Sequence, residues 1–137
     1  LLGGAKLAGI LIEGESEPAF AVVIGFGVNC ASHPTNTPYP AIDLAEAGAS
    51  IAPLRLLEVL ASAMQRRQSQ WARGEGFAGI RADWLKRAAG LGNDIRVRLP
   101  EREFSGRFEG LDDAGHLLVR GPAGLSTVTA GEVFDLG

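Results

Sequence analysis

Residues 20–30 read FAVVIGFGVNC, a stretch typical of a buried β-strand that glycines interrupt just before its end. Side chains two residues apart in a strand point to the same face, so Gly25 and Gly27 leave one strip of backbone bare. A glycine weakens a strand, and one common reason for it is the close approach of a ligand or another chain. Packing against a neighbouring helix or a β-bulge is the alternative, and spacing alone favours that alternative.

The composition is that of a globular protein with a core. The chain has 137 residues, of which 46% are hydrophobic and 21% charged, and its net charge is −3. No cluster of Lys and Arg dominates, so we do not expect a nucleic-acid partner. No apolar run reaches the roughly 20 residues that a membrane-spanning helix needs, so we do not expect a membrane partner either.

The single cysteine and the single methionine lead to two further expectations. Cys30 has no partner for an internal disulfide, which favours the reducing cytoplasm as the location. Met64 is the only methionine, and the chain begins at Leu1. We therefore expect the chain to begin inside a larger protein.

The pattern of apolar residues predicts an α+β fold in two domains. Strands are predicted at 7–13 and 20–28, joined as a hairpin, and the proline-rich stretch 31–50 is predicted to be loop. A helix is predicted from Pro53, because Leu57, Leu60, Met64 and Trp71 form one apolar stripe, and a second helix over 78–89. After Asn93 five short strands alternate with turns, which is typical of a small β-barrel. The predicted domains are 1–91 and 92–137.

Two polar residues flank the predicted hairpin strands. Asn29 offers a donor and an acceptor, which suits the edge of a nucleobase, although a turn asparagine bonded to its own backbone is the alternative. The cation of Lys6 could contact a carboxylate or a phosphate, although a solvated lysine beside a strand is the alternative.

We expect no metal site and no thiol nucleophile. His33 and His116 fall in different predicted domains, and no spacing of His, Cys, Asp and Glu is typical of metal ligands. No histidine lies at a spacing from Cys30 that is typical of a catalytic Cys–His pair.

Two motifs together resemble the central hairpin of the biotin–protein ligases. They are KLAGIL at 6–11 and VVIGFGVN at 22–29. The order of that family continues along the chain, with AIDL at 41–44 similar to its Ala-Thr-Ser-Leu segment. A helix, a Trp-containing helix and a small barrel ending in AGEV at 130–133 complete the resemblance, which covers nearly the whole chain.

The resemblance implies a fold and an activity. The fold is the C-terminal portion of a class II synthetase-like mixed sheet with helices, followed by an SH3-like barrel. The activity joins biotin and ATP to biotinyl-5′-adenylate and passes biotin to a lysine of the biotin carboxyl carrier protein of acetyl-CoA carboxylase. Mg²⁺ is expected to accompany ATP, and a second copy of the chain is a further expected partner.

The resemblance also implies roles for individual residues. Lys6 matches the catalytic lysine, which contacts the biotin carboxylate and the adenylate phosphate. Val28 and Asn29 match the adenine site. The positions that match the lining of the biotin pocket are glycines and one leucine: Gly9, Leu11 and Gly25.

The chain departs from the family pattern in its N-terminal part. The Gly-Arg-Gly-Arg loop and the Trp-Pro-Asn-Asp stretch of the family are absent from this sequence. We therefore expect the chain to supply one wall of an active site and to be inactive by itself. The alternative is a non-catalytic regulatory or carrier-binding module related to biotin ligases.

Overall fold

A computed structural model describes residues 1–15 and 21–135. They form two compact units, residues 1–63 and residues 64 onward, and the predicted α+β class is confirmed. The elements in chain order are β1 (Ala8–Glu15), β2 (Ala21–Val28), α1 (Pro53–Trp71), α2 (Phe77–Leu85), β3 (Asp94–Arg98), β4 (Glu103–Leu111), β5 (Leu117–Gly121), β6 (Gly124–Val128) and β7 (Glu132–Asp135).

The first unit is built on the predicted hairpin. β1 and β2 pair antiparallel from Ala8 opposite Val28 to Glu15 opposite Ala21, with no shift of register along the pair. The predicted turn falls partly on residues 16–20, which lie outside the described residues. Apolar side chains of the hairpin stay uncovered; four of them are each about two-thirds exposed, namely Ile10, Leu11, Ile12 and Val23.

Helix α1 begins at Pro53, as predicted, because a proline in the first turn has no N–H to leave unpaired. The predicted apolar stripe lies on this helix, yet Leu57 is 61% exposed and Trp71 46% exposed. None of the described residues of α1 is buried. The periodicity therefore predicted the helix correctly, while its apolar face remains open.

The end of α1 takes an uncommon backbone path. A 3₁₀ turn spans Ala72–Gly74, and its residues have positive φ angles of 48° at Ala72, 58° at Arg73 and 104° at Gly74. Glycine adopts this left-handed region freely, whereas residues with a Cβ are strained there. The chain thus leaves α1 through two strained residues before the glycine.

Helix α2 is shorter than the predicted 78–89. It ends at Leu85, because the bonds that follow span three residues rather than four: the Arg87 N–H donates to the Trp84 carbonyl at 2.9 Å. The predicted apolar side of the helix does face the following sheet, since the Trp84 ring meets the Phe108 ring edge-on at 6.3 Å.

The second unit contains a five-stranded antiparallel sheet in the order β6-β5-β4-β3-β7. Its first strand confirms the alternation read from the sequence: Ile95 and Val97 are 2% and 0% exposed, while Arg98 faces solvent. The buried residues of the sheet form the core, which consists of Ile95, Val97, Phe108, Val119 and Val128. A register shift between Phe108 and Gly110 bends β4 within this sheet.

The sheet accords with the predicted SH3-like barrel. Among the described strand pairs β6 and β7 lie at opposite ends of the sheet, so barrel closure stays a prediction. The domain division between residues 91 and 92 also stays a prediction. Within the described ranges, no helix has both the length and the apolarity needed to cross a membrane.

Candidate active site

A cavity of about 380 Å³ lies in the first unit at the end of the β1–β2 hairpin. Four of the predicted site residues line it: Lys6, Gly9, Val28 and Asn29. The remaining lining residues are Ala8, Gly27, Pro34, Thr37, Tyr39 and Ala41. One wall is therefore strand backbone, and the other is the proline-rich loop.

Backbone hydrogen bonds bring the two walls together at Lys6. On one side the pairing of the hairpin continues beyond β2, since the Asn29 N–H donates to the Leu7 carbonyl at 3.0 Å. On the other side Lys6 forms a parallel bridge with Ala41, and the Lys6 N–H donates to the Pro40 carbonyl at 2.8 Å. Antiparallel and parallel pairing thus meet at the adjacent residues Leu7 and Lys6, as in the predicted mixed sheet.

Of the two glycines expected to leave bare backbone, Gly27 lies in the cavity wall, where Gly9 joins it, and Gly25 does not. Gly9 and Gly27 lie directly opposite each other in the hairpin. A Cβ placed on either glycine would meet no atom within 4 Å among the described residues. Neither a packed helix nor a bulge explains these glycines within the described part, because the pair is in regular register and its face is open.

The Lys6 side chain lies along the cavity and contacts Tyr39. Its ammonium nitrogen Nζ donates a hydrogen bond to the Tyr39 hydroxyl oxygen at 3.2 Å. The same nitrogen lies 4.7 Å from the centroid of the Tyr39 ring, which is within the range of a cation–π contact. Lys6 is exposed, so its charge is available to a ligand in the cavity.

The Asn29 side chain is half-buried and ties two chain segments together. Its Nδ2 donates to the Lys6 carbonyl at 3.3 Å and to the Ile42 carbonyl at 3.0 Å. Because both partners are acceptors, they fix the nitrogen end of the amide. Its bonds therefore reach distant segments rather than its own turn, and among the described residues none donates to its Oδ1.

The two other predicted biotin residues lie further along the hairpin. Leu11 pairs with Gly25, and neither lines the cavity. A Cβ on Gly25 would lie 3.8 Å from the Leu11 carbonyl oxygen, which is ordinary contact. Leu11 is 64% exposed. The structure therefore places these two residues beside the cavity and not in its wall.

Sequence reasoning missed the loop residues of the cavity. Pro34, Thr37 and Tyr39 fall in a stretch without periodicity, and only their place in the fold brings them to Lys6. A usable signal was the composition, since Tyr39 is the only tyrosine of the chain.

A second polar cluster lies next to this loop. The His33 Nε2 is 3.0 Å from Glu46 Oε2 and 4.0 Å from Asp43 Oδ2. The Pro34 carbonyl at 3.2 Å from Nδ1, and then the Glu46 carboxylate, raise the pKa of His33 above its ordinary value against the opposing effect of desolvation. Asp43 and Glu46 lie ten or more residues after His33 in the sequence, so no local pattern predicts these contacts.

Comparison with known proteins supplies the context for these features. Residues 90–134 match the biotin protein ligase C terminal domain. Over 98% of its length the chain is 44% identical to a biotin--[acetyl-CoA-carboxylase] ligase of Paracoccus denitrificans. Nearly the whole chain is thus similar in sequence to a biotin ligase, and its last third matches a domain of the biotin protein ligases. The resemblance read from the two hairpin motifs is thereby confirmed.

The similarity to individual relatives extends across this chain but not across the full length of those relatives. The chain spans 59% of the Paracoccus ligase. It is also 28% identical to the bifunctional ligase/repressor BirA of Bacillus subtilis (strain 168), of which it spans 44%.

Solved biotin protein ligases share the fold. The apo biotin protein ligase of Aquifex aeolicus superposes with a TM-score of 0.83 at 17% identity, over 98% of this chain and 61% of that one. The same ligase in complex with biotin and ATP gives a TM-score of 0.79 at 20% identity, over 96% of this chain and 56% of that one. The ligase fold of the chain is thus shown independently of close sequence identity.

Proposed function

We propose that this chain forms part of an enzyme that attaches biotin to a lysine of a carrier protein. The carrier is the biotin carboxyl carrier protein of acetyl-CoA carboxylase, and the intermediate is biotinyl-5′-AMP. The observation that carries the proposal is the cavity in which Lys6 and Asn29 flank bare backbone at Gly9 and Gly27. Two relatives support it: one is named biotin--[acetyl-CoA-carboxylase] ligase, and another was solved with biotin and ATP.

The first step brings together two anions, the biotin carboxylate and ATP, which repel each other. The positive charge of Lys6 reduces that repulsion. A carboxylate oxygen of biotin forms a bond to the α-phosphorus of ATP, the bond from that phosphorus to the bridging oxygen breaks, and pyrophosphate leaves. A preorganised cation stabilises the charge that develops at the phosphoryl group. Mg²⁺ bound to ATP supplies further positive charge.

The second step transfers the acyl group. The amine of the carrier lysine attacks the acyl carbon, AMP leaves, and the nitrogen loses a proton. The product is an amide of biotin. The single cysteine supports the cytoplasm as the site of this reaction.

The cavity wall suits a flat bicyclic ring and a nucleobase. Without side chains at Gly9 and Gly27, a ring can lie against the strand backbone. The Oδ1 of Asn29 is the free acceptor that an exocyclic amine of adenine would need, and Val28 lies beside it in the wall. We retain Leu11 and Gly25 as proposed biotin contacts on the neighbouring part of the hairpin.

A second candidate function rests on the uncovered hairpin. Ile10, Leu11 and Ile12 are each about two-thirds exposed, which is unusual for three consecutive apolar residues in a strand. This surface favours a module that binds a carrier protein, or a second copy of the chain, without catalysis.

Pyrophosphate release from biotin and ATP distinguishes the two functions. We expect the full-length protein to release pyrophosphate, and Lys6→Ala to lower the rate by roughly 10²–10³-fold while the fold is retained. Lys86→Ala is the matched control, because Lys86 is the only other lysine and contacts Asp83 on α2. A folded full-length protein that binds carrier protein but releases no pyrophosphate supports the second candidate. Wild-type turnover by Lys6→Ala removes the proposed role of Lys6.

A further inference from the structure

Three side chains from separate positions converge beside the cavity loop. They are His33, Asp43 and Glu46, and one potential ligand atom of each lies within 4.8 Å of the other two. None of the three lines the cavity that holds Lys6. The cluster therefore lies beside the proposed active site and not in its wall.

Asp43 is the member of the cluster that most needs an explanation. Among the described residues of the first unit it is the only one in the buried class, with 6% exposure, and it is a carboxylate. Its Oδ1 accepts a hydrogen bond from the Glu46 N–H at 2.8 Å. No described residue donates a hydrogen bond to Oδ2, which faces His33 Nε2 at 4.0 Å. A carboxylate on a residue that is only 6% exposed is costly unless hydrogen bonds or a cation compensate its charge.

The orientation of His33 points to the same conclusion. Its Nδ1 lies 3.2 Å from the Pro34 carbonyl oxygen, so Nδ1 is the nitrogen that carries hydrogen. In the neutral ring Nε2 then has a lone pair that faces two carboxylates, and either a proton on Nε2 or a metal ion bound there relieves the repulsion. Histidines that bind metals commonly donate their other N–H to a backbone carbonyl in this way.

We propose that His33 Nε2, Asp43 Oδ2 and Glu46 Oε2 bind a divalent transition-metal ion, for which Zn²⁺ is the best match. An imidazole nitrogen favours Zn²⁺ over Mg²⁺ and Ca²⁺, which prefer oxygen ligands only. Zinc lies about 2.0–2.2 Å from N and O ligands, so ligand atoms up to about 4.4 Å apart can share one ion. Two measured separations, 3.0 and 4.0 Å, fall inside that limit. Glu46 is 59% exposed and free to turn inward by the few tenths of an ångström that remain.

A bound ion would connect the two ends of the loop that forms the cavity wall. His33 precedes Pro34, which lines the cavity, and Asp43 follows the lining residue Ala41. The ion would thus act as a structural clip on residues 33–46, and its presence does not depend on the proposed ligase activity.

Metal titration of the full-length protein tests the site. Zn²⁺ binding is measured by calorimetry, with wild type, His33→Ala, Glu46→Gln and the control His116→Ala, at a pH above the pKa of His33. His116 is the only other histidine, and it contacts a single carboxylate, Asp112, at 2.9 Å. We expect one equivalent of Zn²⁺ to be lost in His33→Ala, at least ten-fold weaker binding in Glu46→Gln, and no change in His116→Ala.

Thermal unfolding shows whether each variant is folded, so that lost Zn²⁺ binding is not mistaken for lost fold. Zn²⁺ should raise the Tm of wild type and of His116→Ala but not that of His33→Ala. Identical Zn²⁺ binding by wild type and a folded His33→Ala would overturn the proposal. So would a wild type that binds no Zn²⁺ at this cluster, in which case a proton on His33 is the cation and the cluster is an ion pair only.

Discussion

The ammonium nitrogen of Lys6 lies 3.2 Å from the hydroxyl oxygen of Tyr39 and 4.7 Å from the centroid of its ring. The two residues are separated by most of the hairpin and the proline-rich loop, and both are exposed. An exposed lysine is ordinarily free to sample many rotamers, so this double contact restricts the position of the charge. Tyr39 therefore positions the group to which we assign the chemistry.

Two substitutions of Tyr39 separate the two contacts. Tyr39→Phe removes the hydroxyl acceptor and keeps the ring, whereas Tyr39→Leu removes both. We expect the activation free energy of adenylate formation to rise by about 1 kcal/mol or less in Tyr39→Phe and by about 1–2 kcal/mol in Tyr39→Leu. The measurement is pyrophosphate release under saturating biotin and ATP. In the Lys6→Ala background Tyr39→Leu should cause no further loss. An equal, additive loss in both backgrounds would show that Tyr39 acts independently of Lys6.

Filling the bare backbone should block the ligand without harming the fold. Gly27→Val places a side chain in the cavity where the added Cβ meets no described atom within 4 Å. We expect biotin binding to fall at least ten-fold by calorimetry, with little change in Tm. Gly14→Val is the matched control, because Gly14 is also open, lies in the same hairpin and does not line the cavity. Equal biotin affinity in the two variants would contradict a ligand at Gly27.

Removal of the Asn29 amide should weaken the binding of ATP more than the binding of biotin. Asn29→Ala deletes the proposed acceptor for adenine. We expect ATP binding to weaken by about 1 kcal/mol, which raises the dissociation constant of ATP roughly five-fold. Because Nδ2 also binds the Lys6 and Ile42 carbonyls, a lower Tm should accompany this change. Asn36→Ala serves as the control, since Asn36 is exposed and does not line the cavity. Calorimetry that finds equal losses for ATP and biotin counts against the adenine assignment.

Acid should remove one electrostatic contribution in the second unit. Hydrogen bonds from Arg67 and then Lys86 lower the pKa of Asp83 from 3.8 to about 2. Above 3.8 the carboxylate is charged in both folded and unfolded chains, so its contribution to stability is complete there. As the pH falls through about 2 the carboxylate of the folded state is protonated as well, and below that pH the contribution disappears.

The variant Asp83→Asn makes this dependence measurable. The free energy of unfolding by denaturant is compared between wild type and variant across the acid range. We expect the difference to be constant near neutral pH, to shrink as the pH falls below 3.8 and to vanish only below about pH 2. A difference that does not change on acidification would show that the contacts of Asp83 with Arg67 and Lys86 do not stabilise the fold.

Regular elements could be predicted from the sequence because their patterns are local. The alternation around Ile95 and Val97 predicted a strand with one buried face, and both residues are in the core. The hairpin motifs likewise predicted that Lys6, Gly9 and Asn29 lie near one another, and all three line one cavity.

The irregular part of the site could not be predicted in the same way. Residues 31–50 have no period, so nothing in their order says that Tyr39 meets Lys6 or that His33 meets Asp43. Such contacts depend on the path of the loop, which the bonds of Lys6 with Pro40 and Ile42 determine from a distance. The burial of side chains could not be predicted from the apolar pattern either. The apolar stripe on α1 predicts a helix, but it does not say which residues cover that stripe.

The strained residues that follow α1 lower the stability of the chain, and substitution could recover part of that loss. Ala72 and Arg73 occupy left-handed backbone at a cost of roughly 1–2 kcal/mol each, although neither residue lines the cavity. Natural drift toward glycine or asparagine at these two positions would recover part of that cost. A lineage adapting to heat could therefore gain stability at these two positions without changing any residue that lines the cavity.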